Sequence, residues 1–501
     1  MTHEKTNFRI DQSELGRCLL CHDAPCANEC PNHYPIDRLI RSAYFKNYAS
    51  AHTITTAANC SGCNALCEKS CVLAGHSRPI SIRRLISDLQ EYGKDIDKSD
   101  DNIQPDITMD ICGVKLENPF LLSSSVVASS YEMCARAFDA GWAGAAFKTI
   151  CTFQQHEASP RFSAIRNNSN SFFGFKNIEQ LSDHSLNENL EIFRQLKRDY
   201  PNKVIIASIM GRNEIEWEML ARECQSAGAD VIECNFSCPN MEASGLGLTI
   251  GQNPELVKRF TSAVRRGTTL PVLAKLTPNV ADMVPMAIAA KQAGADGIAA
   301  INTINSITGV DIYSFTAQPD IHGKSMVGGY SGAAVKPIAL RFISDLGHSK
   351  ELQGMHISGM GGIQTWRDAV EFISLGAGSI QITTAVMQYG YRIIDDLIDG
   401  LKNYLRQMKI HSVREIIGAA TNSIVEHDQI ERDTILLPKF DVSKCLGCGR
   451  CYLSCLDGGH QAIEFDIRTR RPKLTGKKCV GCHLCRLVCP ADAISIASKR
   501  I

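Results

Sequence analysis

Four groups of four cysteines punctuate this chain, two near each end. The last two read Cys445-x2-Cys448-x2-Cys451-x3-Cys455 and Cys479-x2-Cys482-x2-Cys485-x3-Cys489-Pro490. Thiolates at this spacing hold [4Fe–4S] cubanes, and in a pair of such runs the fourth cysteine of each ligates the other cluster. Cys445, Cys448, Cys451 and Cys489 are therefore assigned to one cube. Cys479, Cys482, Cys485 and Cys455 are assigned to the other. Paired Cys-x2-Cys steps also make zinc ribbons, but two consecutive four-cysteine runs favour cubes. Near the start, Cys18-x2-Cys21-x4-Cys26-x3-Cys30-Pro31 and Cys60-x2-Cys63-x3-Cys67-x3-Cys71 supply thiols for two more. Cubanes move electrons one at a time, so the middle of the chain is where those electrons are used.

In that middle stretch, polar residues sit at the ends of apolar runs: Ser124, Lys148, Ser208, Asn235, Lys275, Asn302, Thr303 and Thr383. A lysine at a buried strand end is costly unless an anion or a polarised ring lies beside it. The runs themselves are Pro119–Ser125, Gly144–Ile150, Val204–Met210, Val231–Ser237, Pro271–Thr277, Gly297–Thr303, Met355–Gly361 and Ser379–Ala385. Helical patterns such as Glu214–Ser226, Pro254–Arg266, Met283–Ala293 and Thr365–Leu375 lie between them, with Gly141, Gly228, Gly294 and Gly376 placed as terminators. Eight such units predict a (β/α)8 barrel rather than an open doubly wound sheet, with chemistry at the C-terminal strand ends. Ser358-Gly359-Met360-Gly361-Gly362 and Thr383-Thr384 close the last two runs, where barrel amides grip a phosphate. That phosphate is most simply the one on FMN, because a flavin converts one-electron traffic into hydride chemistry.

The 501 residues suggest two to four domains, and 44% apolar with 21% charged content is that of a globular protein. The expected division is a helical cluster domain over 1–93, a linker over 94–108, a barrel over 109–405, a connector over 406–440 and a two-cluster domain over 441–501. Within the connector, Glu415-Ile416-Ile417-Gly418 suggests a short helix packed on the barrel. A formal net charge of zero, with no basic run, gives no support to a nucleic-acid or membrane partner. With no apolar leader, no membrane-length run and thiols spaced for metal, the expected setting is the cytoplasm.

The N-terminal segment resembles the helical two-cluster domain of dihydropyrimidine dehydrogenases and of the glutamate synthase small subunit. The resemblance implies that Cys18, Cys21, Cys26 and Cys71 share one cube. Cys30 and Cys67 then serve the other, completed by Cys60, Cys63 or both. The chain departs from the pattern in its shorter spacing between Cys60 and Cys67, and in carrying Ile86 near the place of a glutamine ligand. Asn235-Phe236-Ser237-Cys238-Pro239-Asn240 resembles the active-site motif shared by cysteine-type dihydroorotate dehydrogenases and dihydropyrimidine dehydrogenases. It implies that Cys238 starts a flexible loop and acts as acid or base on the substrate carbon opposite the flavin, with Gly245-Leu246-Gly247-Leu248 as a lid. Phe175-Lys176-Asn177-Ile178-Glu179 and Ala300-Ile301-Asn302-Thr303 resemble the segments that contact pyrimidine. Asn177, Glu179, Asn235, Asn302 and Thr303 are the implied ring contacts, although Asn177 and Glu179 also suit a solvated helix N-terminus.

Taken over nearly the whole chain, the resemblance is to the catalytic subunit of bacterial NAD-dependent dihydropyrimidine dehydrogenase with a cluster domain fused in front. It implies FMN, held by Ser124, Lys148, Lys275, Ser331, Gly332, Gly361, Gly362, Thr383 and Thr384, and four [4Fe–4S] clusters. The implied reaction interconverts uracil or thymine with the 5,6-dihydropyrimidine, taking hydride from the flavin and a proton from Cys238. No dinucleotide fingerprint is present, so a partner subunit binding FAD and NAD(P)H is expected, in a hetero-oligomer or dimer. The alternatives are a dihydroorotate or other enoate-type oxidoreductase on the same scaffold, and a non-catalytic electron-transfer subunit. Arg212 is the nearest candidate to clamp the carboxylate that orotate would bring.

Overall fold

The computed structural model describes residues 10–95, 103–153, 156–166, 171–237 and 247–497. Eight parallel strands close into a barrel in chain order. They are β1 Phe120–Leu122, β2 Gly144–Ala146, β3 Val204–Ile209, β4 Val231–Asn235, β5 Val272–Lys275, β6 Gly297–Ala300, β7 His356–Met360 and β8 Ser379–Ile382. Ile380 of β8 pairs with Phe120 of β1, which completes the ring. The strands are almost wholly buried because helices cover the outside and side chains fill the bore. Each expected run contains one of these strands but extends past it, since the ladder stops where the chain turns polar. Gly144–Ile150, for instance, pairs as a strand only to Ala146, which leaves Lys148 and Thr149 on the mouth loop.

The helices follow the expected positions, among them Glu214–Ser226, Pro254–Gly267, Val284–Gln292 and Trp366–Ser374. Local chemistry sets their ends. Thr365 and Asp368 form a reciprocal capping box. At the other end of a helix, Gly141 takes φ +110° after Tyr131–Ala140, and Gly228, Gly294 and Gly376 share the left-handed conformation. A short 3-10 turn at Val413–Ile416 only overlaps the helix expected over 415–418, and Val413 and Ile416 are buried in the barrel's core cluster.

A four-stranded antiparallel sheet was not anticipated. It is assembled from Ile304–Ser306, Gly328–Ser331, Phe172–Asn177 and Phe162–Arg166, in that spatial order. Its strands come from the connections after β2 and β6. Lys176, fully buried, pins the two together by donating from Nζ to the carbonyls of Gln318 and Met326, each at 2.7 Å. Gly328 permits the close pairing, because a Cβ there would lie 2.6 Å from the Asn177 carbonyl oxygen.

The N-terminal helices Gln12–Arg17, Ile36–Tyr44, Tyr48–Thr55 and Ile82–Asp95 enclose their own small core around Leu15, Leu39, Ile40, Leu85 and Leu89. Ile86 lies inside that core at 3% exposure, so this position packs rather than ligates. Helix Ile36–Tyr44 docks on helix Ile393–Met408 of the barrel. Arg41 reaches Asp396 at 2.7 Å and Asp395 at 2.9 Å, and Ser42 donates to Asp396 at 2.6 Å. Tyr44 and Tyr389 share a hydroxyl contact at 2.9 Å. Contacts divide the chain into one unit of residues 1–422 and another of 423–501, a boundary that falls within the expected connector. No helix among the described residues is long and apolar enough to cross a membrane.

At the floor of the barrel, His356 opens β7 and its Nε2 meets Ser379 Oγ at 2.9 Å. Burial pushes its pKa down to about 4, with Asp110 pulling weakly the other way. A folded-state pKa below the unfolded value of about 6.5 means that the unfolded chain takes up a proton first as pH falls. Stability is therefore lost between about pH 6.5 and pH 4. The loss is at most on the order of 3 kcal/mol, at about 1.4 kcal/mol per pH unit. His356→Gln, which keeps a polar atom near Nε2, is expected to flatten the pH dependence of thermal unfolding across that window. A variant slope equal to that of the parent would rule the histidine out as its source.

Candidate active site

One cavity occupies the mouth of the barrel at the C-terminal strand ends. It gathers all the described residues expected to hold a flavin: Ser124, Lys148, Lys275, Ser331, Gly332, Gly361, Gly362, Thr383 and Thr384. The same cavity is lined by Asn177, Glu179, Asn235, Asn302 and Thr303. Cys238 lies outside the described residues, as do Pro239 and Asn240.

The phosphate end is a cradle of backbone. Gly332 and Gly362 both have left-handed φ, +90° and +83°. A Cβ on Gly362 would lie 2.7 Å from the Lys336 amide nitrogen and 2.9 Å from the Gly332 carbonyl, so only glycine lets these loops meet. Ser331 and Thr384 hydroxyls stand 2.9 Å apart beside it, and Ser125 and Thr383 lie 3.3 Å apart. Hydroxyls and glycine-lined backbone drawn from the ends of β1, β7 and β8 and from the inserted sheet suit a phosphate monoester. Two cations complete the fit. Lys148 is 4% exposed and Lys275 is 3% exposed, each held beside carboxylates.

Part of the lining is a linked set of amides and hydroxyls. Asn235 donates to Thr149 Oγ1 at 2.9 Å, and Thr149 contacts Ser208 at 3.0 Å and Ser124 at 3.2 Å. Asn302 donates to Ser237 Oγ at 2.6 Å and to Asn235 Oδ1 at 3.3 Å. Asn279 supports this edge by donating to the Thr303 carbonyl at 3.1 Å. Asn177 ends a strand of the inserted sheet rather than starting a helix, and donates to the Gly329 carbonyl at 3.3 Å. Glu179 lies 3.7 Å from Lys148 and 3.4 Å from Arg161. Burial pushes its carboxyl up and Glu157 adds to that, while Lys148 and Arg161 oppose. Arg212 is turned away, bound to Glu216 at 2.6 Å and stacked over Phe153. Thr149, Gln381 and Tyr330 also line the cavity and were not singled out in the sequence. Thr149 sits one residue past a noted lysine, but Gln381 lies inside an apolar strand and Tyr330 inside an unforeseen sheet.

The thiols gather in groups. Cys18, Cys21, Cys26 and Cys71 line one cavity, and Arg392 from the barrel completes its wall. Burial raises the Cys18 thiol to about 11 and the Cys26 thiol to about 12, so four thiolates are tenable there only around a cationic core. Cys60 neighbours Cys63 and Cys30, and Cys67 neighbours Cys30 and Cys63, so both uncertain cysteines fall in the second quartet. In the unit of residues 423–501, Cys455, Cys479, Cys482 and Cys485 line a cavity of their own. Cys451 adjoins Cys445 and Cys448. Cys489 Sγ accepts from the Ala493 amide at 3.4 Å, and Cys455 Sγ from the Ala462 amide at 3.3 Å. Such N–H···S bonds are among the groups that set cluster potentials. Among the described residues no group of three or more His, Cys, Asp or Glu is gathered for a single ion, and the quartets suit the larger four-iron core.

A phosphate cradle, paired cations and a polar ring wall at the mouth of a parallel barrel belong to flavin-dependent oxidoreductases, and the thiol quartets make this one an iron–sulfur flavoprotein. The family Dihydroorotate dehydrogenase matches residues 106–405, and this chain belongs to it. Residues 439–496 match a 4Fe-4S dicluster domain, and residues 2–100 match Dihydropyrimidine dehydrogenase domain II, 4Fe-4S cluster. The NAD-dependent dihydropyrimidine dehydrogenase subunit PreA of Escherichia coli (strain K12) is 54% identical over 391 residues, 78% of this chain and 95% of that protein. The chloroplastic dihydropyrimidine dehydrogenase (NADP(+)) of Arabidopsis thaliana is 34% identical over 339 residues, 65% of this chain and 80% of that protein. The catalytic subunit of dihydroorotate dehydrogenase B (NAD(+)) of Pyrococcus abyssi is 39% identical over 315 residues, 63% of this chain and 99% of that protein. The crystal structure of DHODH in complex with ferulenol from Eimeria tenella shares the fold at a TM-score of 0.52. It is 20% identical and covers 64% of this chain and 89% of that one. The protein is an oxidoreductase of the kind that acts on CH–CH groups, built around FMN and [4Fe–4S] clusters.

Proposed function

We propose that the protein interconverts uracil or thymine with the 5,6-dihydropyrimidine, working in the cytoplasm with a partner subunit that binds FAD and NAD(P)H. The observation that carries this reading is the side-by-side pair of amides, Asn302 and Asn235, with Ser237 2.6 Å from the Asn302 nitrogen. A pyrimidine base alternates C=O and N–H around one edge, and side-chain amides match both. Glu179, on the same wall, accepts from a ring N–H. No guanidinium lines the described part of the cavity, and its two ammonium groups stand beside carboxylates. That wall favours a neutral ring over orotate, which carries a carboxylate.

FMN, when bound, exchanges hydride with the ring. Asn302 and Asn235 orient the base and donate toward the carbonyl oxygen on which charge develops. Cys238 delivers the proton to C5 from the face opposite the flavin and retrieves it in the reverse direction. Lys148 and Lys275 hold the flavin edge. The cysteine groups at the two ends would hold clusters able to supply single electrons between the partner and the barrel.

Photoreduced holoenzyme mixed anaerobically with uracil, thymine or orotate tests the reading. Rapid flavin reoxidation by uracil or thymine, with orotate inert, is the expected result. Reoxidation by orotate alone would assign the site to dihydroorotate chemistry instead.

A further inference from the structure

Beneath the cavity the bore is closed by charged and amide side chains rather than by aliphatic ones. Glu233 of β4 and Gln381 of β8 come from strands on opposite sides of the ring. They meet across it, Gln381 Nε2 donating to Glu233 Oε2 at 3.1 Å. The other carboxylate oxygen, Oε1, accepts from Lys275 Nζ at 3.2 Å. Gln381 Nε2 also donates to Ser358 Oγ at 3.1 Å. Exposure is 0% for Glu233, 1% for Gln381 and 3% for Lys275.

Three consequences follow from the donor inventory. A carboxylate only accepts, so Gln381 must turn its NH2 toward Glu233, which leaves Gln381 Oε1 buried without a protein partner. Lys275 has three N–H donors, and the bond to Glu233 engages one of them. Lys275 and Gln381 both line the flavin cavity, whereas Glu233 does not.

We propose that Glu233 is a positioning residue: its carboxylate locks Lys275 and Gln381 into one unit lining the flavin cavity, presenting a cation and an acceptor while offsetting the cation's charge. The argument rests on the flavin site and not on the choice of pyrimidine. Reduction adds negative charge to the ring, which a nearby ammonium stabilises and a nearby carboxylate opposes. Glu233 therefore keeps the flavin a stronger reductant than an unpaired Lys275 would. An amide at position 233 also turns an N–H donor toward either Lys275 or Gln381, so the unit loses its fixed orientation.

The test uses full-length holoenzyme carrying Glu233→Gln, with Gln381→Met as a second variant that leaves the Glu233–Lys275 pair in place. Two readouts do not depend on turnover: FMN affinity, from fluorescence recovery on dilution, and the flavin midpoint potential from a dye-coupled titration. Glu233→Gln is expected to weaken FMN roughly tenfold and to raise the potential by about 30 mV, which is a tenfold shift in a two-electron equilibrium. Gln381→Met is expected to weaken FMN with a smaller change in potential. An unchanged or lowered potential in Glu233→Gln that still binds FMN would overturn the proposal. If Glu233→Gln does not fold, FMN affinity in Gln381→Met equal to that of the parent would overturn it. A parent lacking FMN altogether would instead remove the flavin site on which it rests.

Discussion

Replacing Cys238 by alanine is expected to leave uracil binding within a few-fold of normal and to lower turnover by about 100- to 10,000-fold, the usual worth of a general acid. In the proposed reaction hydride would reach one ring carbon from the flavin face, and Cys238 would supply the proton to the neighbouring carbon from the other face. The residue before Cys238 is tied into the ring wall, Ser237 Oγ accepting from Asn302 at 2.6 Å. Cys238→Ser should keep part of the rate, because a hydroxyl is a poorer acid than a thiol but fills similar space. The measurement is anaerobic stopped-flow reoxidation of the reduced flavin at saturating uracil. A rate in Cys238→Ala within tenfold of the parent would show that another group carries the proton.

The second large effect concerns stability. Arg41 and Asp396 form a pair between the helical segment and the barrel, with side chains 10% and 3% exposed. Burial already pushes the Asp396 carboxyl up, and Arg41 pulls it back. Arg41→Ala strands that carboxylate and is expected to cost about 3–5 kcal/mol, read as anaerobic thermal unfolding of the holoenzyme. The sign with pH follows directly. Without Arg41 the folded-state pKa of Asp396 rises further above its unfolded value, so the folded variant binds a proton that the unfolded chain does not. Its deficit is then smaller at acid pH and largest at alkaline pH. Arg41→Met combined with Asp396→Leu should recover most of the loss, since paired apolar groups of similar volume replace buried ion pairs at little cost. A single variant as stable as the parent would show that the pair contributes nothing to docking.

The two cluster domains were legible because most of their cysteines recur at short, fixed spacings, whereas partners as far apart as Cys26 and Cys71 meet only in the fold. The barrel was legible for a related reason, since each βα unit repeats the same apolar period and ends in the same kind of turn. The inserted sheet was hidden. Its strands carry Gly328, Gly329 and Gly174, and Tyr330 pairs with Lys176, far away in the chain. Asn177 and Glu179 read equally well as a helix start; the long-range pairing puts Asn177 at the end of a strand and leaves Glu179 just beyond it. Glu233 and Gln381 were equally hidden, because a single polar residue inside an apolar strand acquires meaning only when its partner across the ring is known. Cys60 and Cys63 were ambiguous until the fold brought both beside Cys30 and Cys67.

Arg392 belongs to the barrel, yet it walls the cavity of Cys18, Cys21, Cys26 and Cys71 and donates to the Leu20 carbonyl at 2.6 Å. Biogenesis inherits an order from this. A core held by Cys18, Cys21, Cys26 and Cys71 would gain its Arg392 wall only once the central domain has folded against the leading helices.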